Sequence, residues 1–259
     1  MKTENLKRKF QKMKADFTVS FNPETRGIFR RNTNGYSINV EKGIFSVTGT
    51  DTTIDINIVD EDMKDRHILL NVGRKEERKG GGFDIVNEKW LCGHDERDWF
   101  VGSIQGGVKN IWEAKQSLKP KEVVEAEMEI KQKSKQKRKN KVRIRQGEWF
   151  FLPKNLVVPD VLIHKDEPIS RNSRSKPHIV EEVYRTGGKS VWVRNGNIVS
   201  DKEYETSNNK SLYQQRVADA TVYGRGYVKH KDHATIYLDG WHQILMNSER
   251  ASSSLAFLD

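Results

Sequence analysis

The sequence predicts an α+β protein in which a basic segment joins two β-rich parts. Short runs of alternating apolar residues, typical of half-buried strands, dominate residues 36–104 and recur after residue 146. Helical spacing is confined mainly to the N-terminus and to residues 108–128. Residues 131–145 (KQKSKQKRKNKVRIR) hold nine Lys or Arg and no acid. We therefore predict a β-rich N-terminal domain with one or two helices, a basic linker, and a C-terminal antiparallel β-sheet or small barrel.

The chain begins with a predicted basic amphipathic helix over residues 1–20. Leu6, Phe10, Met13 and Phe17 recur at helical spacing, and lysines surround this apolar stripe. Turn-forming residues then interrupt the pattern, so the helix is expected to end before the first strands begin.

Residues 21–130 are predicted to form the β-rich N-terminal domain. Alternating runs indicate strands near residues 36–40, 45–47, 54–58, 67–72 and 99–104. The charged stretch 74–82, which ends in three glycines, is interpreted as an exposed loop. Helical spacing over 108–118 and again after Pro120 predicts two helices that close the domain.

Residues 146–259 are predicted to form an antiparallel β domain that follows the basic linker at 131–145. Asn195-Gly196 separates two apolar runs and is a strong hairpin signal. Asp239-Gly240 is interpreted in the same way, as a tight turn between strands at 234–238 and 241–246.

Positive charge is concentrated in two segments of the chain. The formal net charge is +10, of which residues 131–145 contribute +9 and residues 1–14 contribute +5, so the remainder carries −4. Cys92 is the single cysteine, which suits a reducing compartment. No run is apolar and long enough for a secretory signal or a spanning helix, so we expect a soluble cytoplasmic protein without membrane contact.

Four phrases of the sequence resemble those of a known group of proteins. They are CGHDERDWFV from Cys92, RQGEWFF from Arg145, KPH from Lys176, and HKDHATIYLDGWH from His230. These phrases resemble a family of uncharacterised proteins from bacteria, phages and mobile elements, over roughly residues 69–249. The resemblance implies a bacterial or phage setting, and it carries no activity or site assignment.

The basic segment predicts contact with nucleic acid. Closely spaced cations attract polyanions through counterion release, whatever the base sequence. No sequence-reading motif accompanies the segment, so RNA and DNA stay equally open, and a solvated linker is the plain alternative. Phe10 and Phe17 are expected to stack on bases if they are exposed. The candidate phosphate contacts are Lys131, Lys133, Lys135, Lys137, Arg138, Lys139, Lys141, Arg143 and Arg145.

Three histidines form a candidate metal site. His230-x-x-His233 has a spacing that can ligate one ion from a turn, and His178 would complete a set of three. Such a site would hold a divalent metal such as zinc and imply hydrolysis by metal-activated water; otherwise no cofactor is expected. The alternatives are histidines that hydrogen-bond loop backbone or contact phosphate. If Asp239-Gly240 is a tight turn, His242 lies about 13 Å along the ladder from His233 and cannot join the set.

The residues leave three functions in order of preference and leave catalysis itself open. The first is a nucleic-acid-binding accessory protein of a bacterial or mobile-element system. The second is a metal-dependent hydrolase centred on His178, His230 and His233, and the third is a module that binds another protein.

Overall fold

The computed structural model describes residues 2–21, 35–49, 54–78, 80–96, 98–104, 107–171 and 175–248. Internal contacts divide the chain into two units whose boundary lies between Lys119 and Pro120. The chain is β-rich, with several sheets and short helices, as an α+β protein requires. None of the helices in the described ranges is long and apolar enough to cross a membrane.

The first unit combines two sheets with two short helices. Its three-stranded sheet has the order β1-β3-β2, with β1 parallel to β3, and its four-stranded sheet is an antiparallel meander in the order β4-β5-β6-β7. The elements are α1 (Lys2–Lys12), β1 (Asp16–Phe21), β2 (Tyr36–Glu41), β3 (Ile44–Gly49), β4 (Asp55–Asp62), β5 (His67–Glu77), β6 (Phe83–Asp95), β7 (Asp98–Ile104) and α2 (Ile111–Ser117).

The apolar stripe of the N-terminus forms part of the core of the first unit. Leu6, Phe10 and Met13 are buried on α1, which ends at Lys12. Phe17 lies on β1 instead of on the helix, and its ring stacks on that of Phe10 with centroids 4.6 Å apart. Both phenylalanines are buried, so the expectation that they stack on bases is wrong.

The charged stretch 74–82 is mostly strand, and its interpretation as a loop is wrong. β5 continues to Glu77 and β6 resumes at Phe83, with these two residues paired across the ladder. Charged side chains did not stop the strand because the far end of this hairpin is exposed, where polar and charged residues cost little.

The second unit contains a six-stranded antiparallel sheet in the order β10-β11-β15-β16-β9-β8 and a three-stranded sheet in the order β13-β12-β14. The elements are α3 (Lys121–Ala126), α4 (Gln132–Lys135), β8 (Ile144–Gln146), β9 (Trp149–Pro153), β10 (His164–Ile169), β11 (His178–Thr186), β12 (Lys189–Arg194), β13 (Asn197–Val199), α5 (Asp201–Thr206), β14 (Gln214–Ala218), β15 (Thr221–Lys229) and β16 (Ile236–Met246).

The six-stranded sheet of the second unit supplies its own core. Trp149 on β9, Val180 on β11, Val228 on β15 and Leu238 on β16 belong to one cluster of buried side chains. All the buried members of this cluster come from strands of this one sheet. Such self-packing requires the sheet to curl strongly, and the ladders carry register shifts at Val180/Glu182 and Gly224/Gly226 that allow it to bend.

The two predicted two-residue turns have different outcomes. Asn195-Gly196 connects β12 to β13, with Arg194 paired to Asn197, so this hairpin is confirmed. Asp239-Gly240 lies within the continuous strand β16, so the prediction of a turn there is wrong. Leu238 and His242 both pair with β15, and the extra residues between them form a bulge in which Gly240 has a φ of +79°.

The basic segment 131–145 is folded within the second unit. It contains α4, a β-bridge between Lys139 and Ile144, and the first residues of β8. The Arg145 N–H donates to the Arg138 carbonyl at 2.7 Å, so the chain doubles back on itself before it enters the sheet. The segment therefore has a defined conformation where the sequence predicts a linker.

Candidate metal centre

The strand register of the second unit brings three histidines together from two distant parts of the chain. His178 is the first residue of β11 and pairs with Ile169. The next residue of β11, Ile179, pairs with Lys229, the last residue of β15. His230 follows directly, and His233 lies in the connection to β16. His178 and His230 are therefore neighbours because β11 and β15 are adjacent in the sheet.

The three imidazole rings are stacked closely. The centroid distances are 4.1 Å for His178–His230, 4.5 Å for His230–His233 and 5.5 Å for His178–His233. One ligand nitrogen from each ring can be chosen so that all three lie within 4.8 Å of one another. Nitrogens bound to one tetrahedral zinc ion are about 3.4 Å apart, so small side-chain rotations bring all three to a common ion.

His178 is the buried member of the group. It is 1% exposed, and neither ring nitrogen has a hydrogen-bond partner among the described residues. Burial, together with the neighbouring His230 and His233, lowers the pKa of His178 to about 3. The ring is therefore neutral at pH 7 and carries a lone pair that no protein donor satisfies, although buried polar atoms normally have partners.

His230 is half-buried and has a hydrogen bond at each nitrogen. Its Nε2–H donates to the Lys176 carbonyl at 3.3 Å, and its Nδ1 accepts from the Asp232 N–H at 3.1 Å. Burial is the largest cause that lowers the pKa of His230, followed by the charge of His233. A backbone carbonyl on one imidazole nitrogen is the usual way to orient a metal-ligating histidine. In this tautomer Nδ1 is the nitrogen available to an ion.

His233 lies against the turn between β8 and β9. Gln146 pairs with Trp149, so Gly147 and Glu148 form a two-residue hairpin loop, and Gly147 has a φ of +56°. A Cβ atom on Gly147 would lie 2.8 Å from Nε2 of His233. Only glycine therefore leaves His233 its present place.

Polar contacts fix the loop that carries His230 and His233. The buried Gln146 side chain donates to the Ala234 carbonyl at 2.6 Å. The Lys176 ammonium donates to Asp232 at 2.5 Å and joins the segment before β11 to the same loop. The sequence reasoning did not assign Gln146, Gly147 or Lys176 to the site. The only sequence signal for them is that they lie in two of the quoted phrases, RQGEWFF and KPH.

Several other polar residues predicted near the histidines are placed elsewhere. Glu182 is paired with Lys165 and Arg225, and its pKa is lowered chiefly by the hydrogen bond from Arg225. Glu181 accepts from the Tyr227 N–H at 2.7 Å. Neither carboxylate belongs to the group of candidate ligands found in the described part of the chain.

His242 is separate from the three histidines, although the turn used to exclude it does not exist. It pairs with Gly224 of β15, six residues before His230, or roughly 20 Å of extended strand. Its Nδ1 is 3.0 Å from the Gly240 carbonyl. His242 therefore orders the bulge in β16 instead of joining the metal centre.

Arg143 is the one buried cation of the basic segment, and we remove it from the candidate phosphate contacts. It is 3% exposed, and its Nε donates to Glu127 at 2.8 Å. Its two terminal nitrogens donate to the carbonyls of Arg138 and Lys135 at 3.1 and 2.9 Å. The guanidinium thus holds the segment together from within, and a phosphate cannot reach it without breaking this arrangement.

The remaining cations of the segment lie at the surface to differing degrees. Lys135, Arg138 and Arg145 are half-buried. The exposed ones are Lys131, Lys133, Lys137, Lys139 and Lys141. The folded segment therefore presents five exposed lysines from a fixed backbone.

Comparison with known proteins adds no relative. No protein-family model, no curated protein and no solved structure matches the chain.

Proposed function

We propose that the protein is a metal-dependent hydrolase whose centre is a divalent transition-metal ion held by His178, His230 and His233. The observation that carries the proposal is the buried His178 ring, which has no hydrogen-bond partner and stacks on His230 at 4.1 Å. A neutral imidazole suits zinc, copper, iron and nickel, whereas magnesium and calcium prefer oxygen ligands. Zinc is the ion we expect, because it tolerates three nitrogen ligands with one further position.

Three protein ligands are the number typical of catalytic zinc sites. The fourth position then belongs to water, whose pKa the ion lowers towards 7, and this supplies the hydroxide for hydrolysis. His178 forms the buried floor of the centre, while His230 and His233 are half-buried and face more open surroundings. This difference in burial supports a centre that a substrate can approach from one side.

Zinc binding is tested by titrating metal-free protein in a calorimeter. We expect one zinc ion per chain and a loss of at least about tenfold in affinity for the His178→Ala and His230→Ala variants. His164→Ala is the matched control because His164 is an exposed histidine of the same unit, and its affinity should equal that of the wild type. Binding that is absent, or unchanged in His178→Ala, would disprove the centre.

Hydrolysis is tested with two chromogenic substrates, 4-nitrophenyl acetate and bis(4-nitrophenyl) phosphate. We expect zinc-dependent release of nitrophenol from at least one of them, and its loss in His230→Ala but not in His164→Ala. If zinc binds and neither substrate is hydrolysed, the ion has a structural role and the hydrolase proposal fails.

Nucleic-acid binding is a second candidate function, favoured by the five exposed lysines of segment 131–145. Cations held on a folded backbone lose less conformational entropy on binding a phosphate chain than cations on a mobile linker. The test is the affinity for a fluorescent oligonucleotide at 50 and 200 mM salt, which should fall steeply as salt rises. Affinity that does not depend on salt would remove this candidate.

A further inference from the structure

The basic segment leads directly into the metal centre. Its last residue, Arg145, adjoins Gln146 and Gly147, the two residues that contact the histidine loop. Gly147 is two residues from Arg145, about 7 Å of extended chain. Arg138 lies beside Arg145 through a backbone hydrogen bond of 2.7 Å. The segment and the centre are thus parts of one local structure within the second unit.

The histidine loop itself adds cations to this surface. His230 stands between Lys229 and Lys231, and both of these lysines are exposed. The nearby carboxylate of Asp232 is paired with Lys176, so the two charges offset each other. Segment 131–145 contains no acidic residue. The surroundings of the three histidines are therefore predominantly positive on two sides.

A positive surface at a hydrolytic centre selects for an anionic substrate. An isolated phosphate ester would need only one or two cations, whereas five exposed lysines in an eleven-residue stretch, 131–141, match the repeated charges of a polymer. The phosphodiester backbone of a nucleic acid has both features, a repeated charge and a bond that metal-bound hydroxide can break.

We propose that the substrate of the three-histidine centre is the phosphodiester backbone of a nucleic acid, which segment 131–145 holds; this rests on the proposed hydrolase function. The hydroxide oxygen forms a bond to phosphorus while the bond from phosphorus to one ester oxygen breaks. One water is consumed, with its oxygen retained on the phosphate and one proton delivered to the leaving oxygen. RNA and DNA share this chemistry, so the experiment carries an arm for each.

The experiment uses the full chain loaded with one equivalent of zinc. End-labelled single-stranded RNA, single-stranded DNA and double-stranded DNA are incubated with protein, and the fragments are separated by electrophoresis. A segment variant replaces five exposed lysines by glutamine, namely Lys131, Lys133, Lys137, Lys139 and Lys141. A charge-matched control replaces five exposed lysines elsewhere in the same unit, namely Lys121, Lys154, Lys189, Lys202 and Lys210.

We expect cleavage of at least one nucleic acid. In the segment variant the KM for that strand should rise at least about tenfold, because five phosphate contacts are lost. Its hydrolysis of bis(4-nitrophenyl) phosphate should be unchanged, because this small diester does not reach the segment. His230→Ala should lose both reactions and still shift the labelled strand in a gel. The charge-matched control should behave as the wild type.

The outcomes separate the substrate proposal from the hydrolase proposal. If zinc binds and a chromogenic substrate is hydrolysed while all three nucleic acids stay intact, the substrate proposal is overturned and the hydrolase proposal stands. Equal KM values for the segment variant and the charge-matched control would also overturn it. If zinc does not bind, the hydrolase proposal itself has failed.

Discussion

Removal of the Glu127 carboxylate should release the basic segment from its folded state. Glu127 is 1% exposed, and its Oε1 accepts from Arg143 at 2.8 Å and from the Asn140 amide at 2.7 Å. In Glu127→Ala the guanidinium stays buried without its counter-ion. Breaking a buried ion pair on one side typically costs 3–5 kcal/mol. Arg143 keeps two carbonyl acceptors, so we expect the lower end, about 3 kcal/mol.

Trypsin provides the assay because it cleaves after lysine and arginine. The bond between Arg143 and Ile144 leads into β8 and can be cut only when the segment opens. When opening and closing are fast, the rate of cleavage follows the population of the open form. A loss of about 3 kcal/mol therefore predicts roughly a hundredfold faster cleavage at this bond, measured by mass spectrometry.

The matched control for this prediction is Glu125→Ala. Glu125 lies on the same helix, α3, but is exposed and paired only with the exposed Lys121. Exposed pairs of this kind contribute little, so the control should be cleaved at the wild-type rate. Equal rates for Glu127→Ala and Glu125→Ala would refute the reasoning, because they would show that Arg143 does not depend on its carboxylate.

Three further predictions concern single residues. Gly147→Ala should weaken zinc binding at least about tenfold in calorimetry, because the new Cβ displaces His233, whereas Gly187→Ala, with nothing within 4 Å, should not. Lowering the pH from 7 to 5 should reduce the unfolding free energy of the first unit by about 2 kcal/mol in urea titrations, because burial holds the pKa of His67 at about 4 and unfolding restores about 6.5, so the unfolded chain gains the proton first; His67→Leu should lose this pH dependence. Burial raises the pKa of the Cys92 thiol, so iodoacetamide should label it in urea and not in native protein; equal labelling would contradict its buried position.

Local sequence signals identified turns well only where the neighbouring strands agreed with them. Asn195-Gly196 and Asp239-Gly240 are equivalent signals for a two-residue turn. The first forms a hairpin because β12 and β13 have no other strand between them. The second is held within β16, which continues along β15 across a register shift at Gly224/Gly226. That shift is a property of the pairing, so the dipeptide alone cannot reveal it.

The fold of the basic segment depends on a partner that the segment does not contain. Its composition predicts solvation, and for the five exposed lysines the structure agrees. The exception, Arg143, is buried because Glu127 lies sixteen residues earlier and reaches it through the turn after α3. A carboxylate at that separation leaves no periodic signal, so only the three-dimensional fold identifies which cation is structural.

The candidate metal centre was partly predictable. The spacing of His230 and His233 is short and visible in the sequence, and the phrase that contains His178 was also visible. The pairing of β11 with β15, which brings His178 to His230, is a long-range event without a local signal. Gly147 was not assigned to the site because its role is to leave space for His233, and an absent side chain is conspicuous only in the folded protein.

The central position of β16 in the six-stranded sheet has a consequence for how the protein is made. β16 is the last described strand to leave the ribosome, yet it lies between β15 and β9 and bonds to both. β8 and β9 are synthesised some ninety residues earlier and must wait for it. Domains generally fold as units during synthesis, N-terminal first, and distant pairings form slowly. The first unit can therefore fold while the second is still a nascent chain, and the second must condense late, in a single step that also assembles the three histidines.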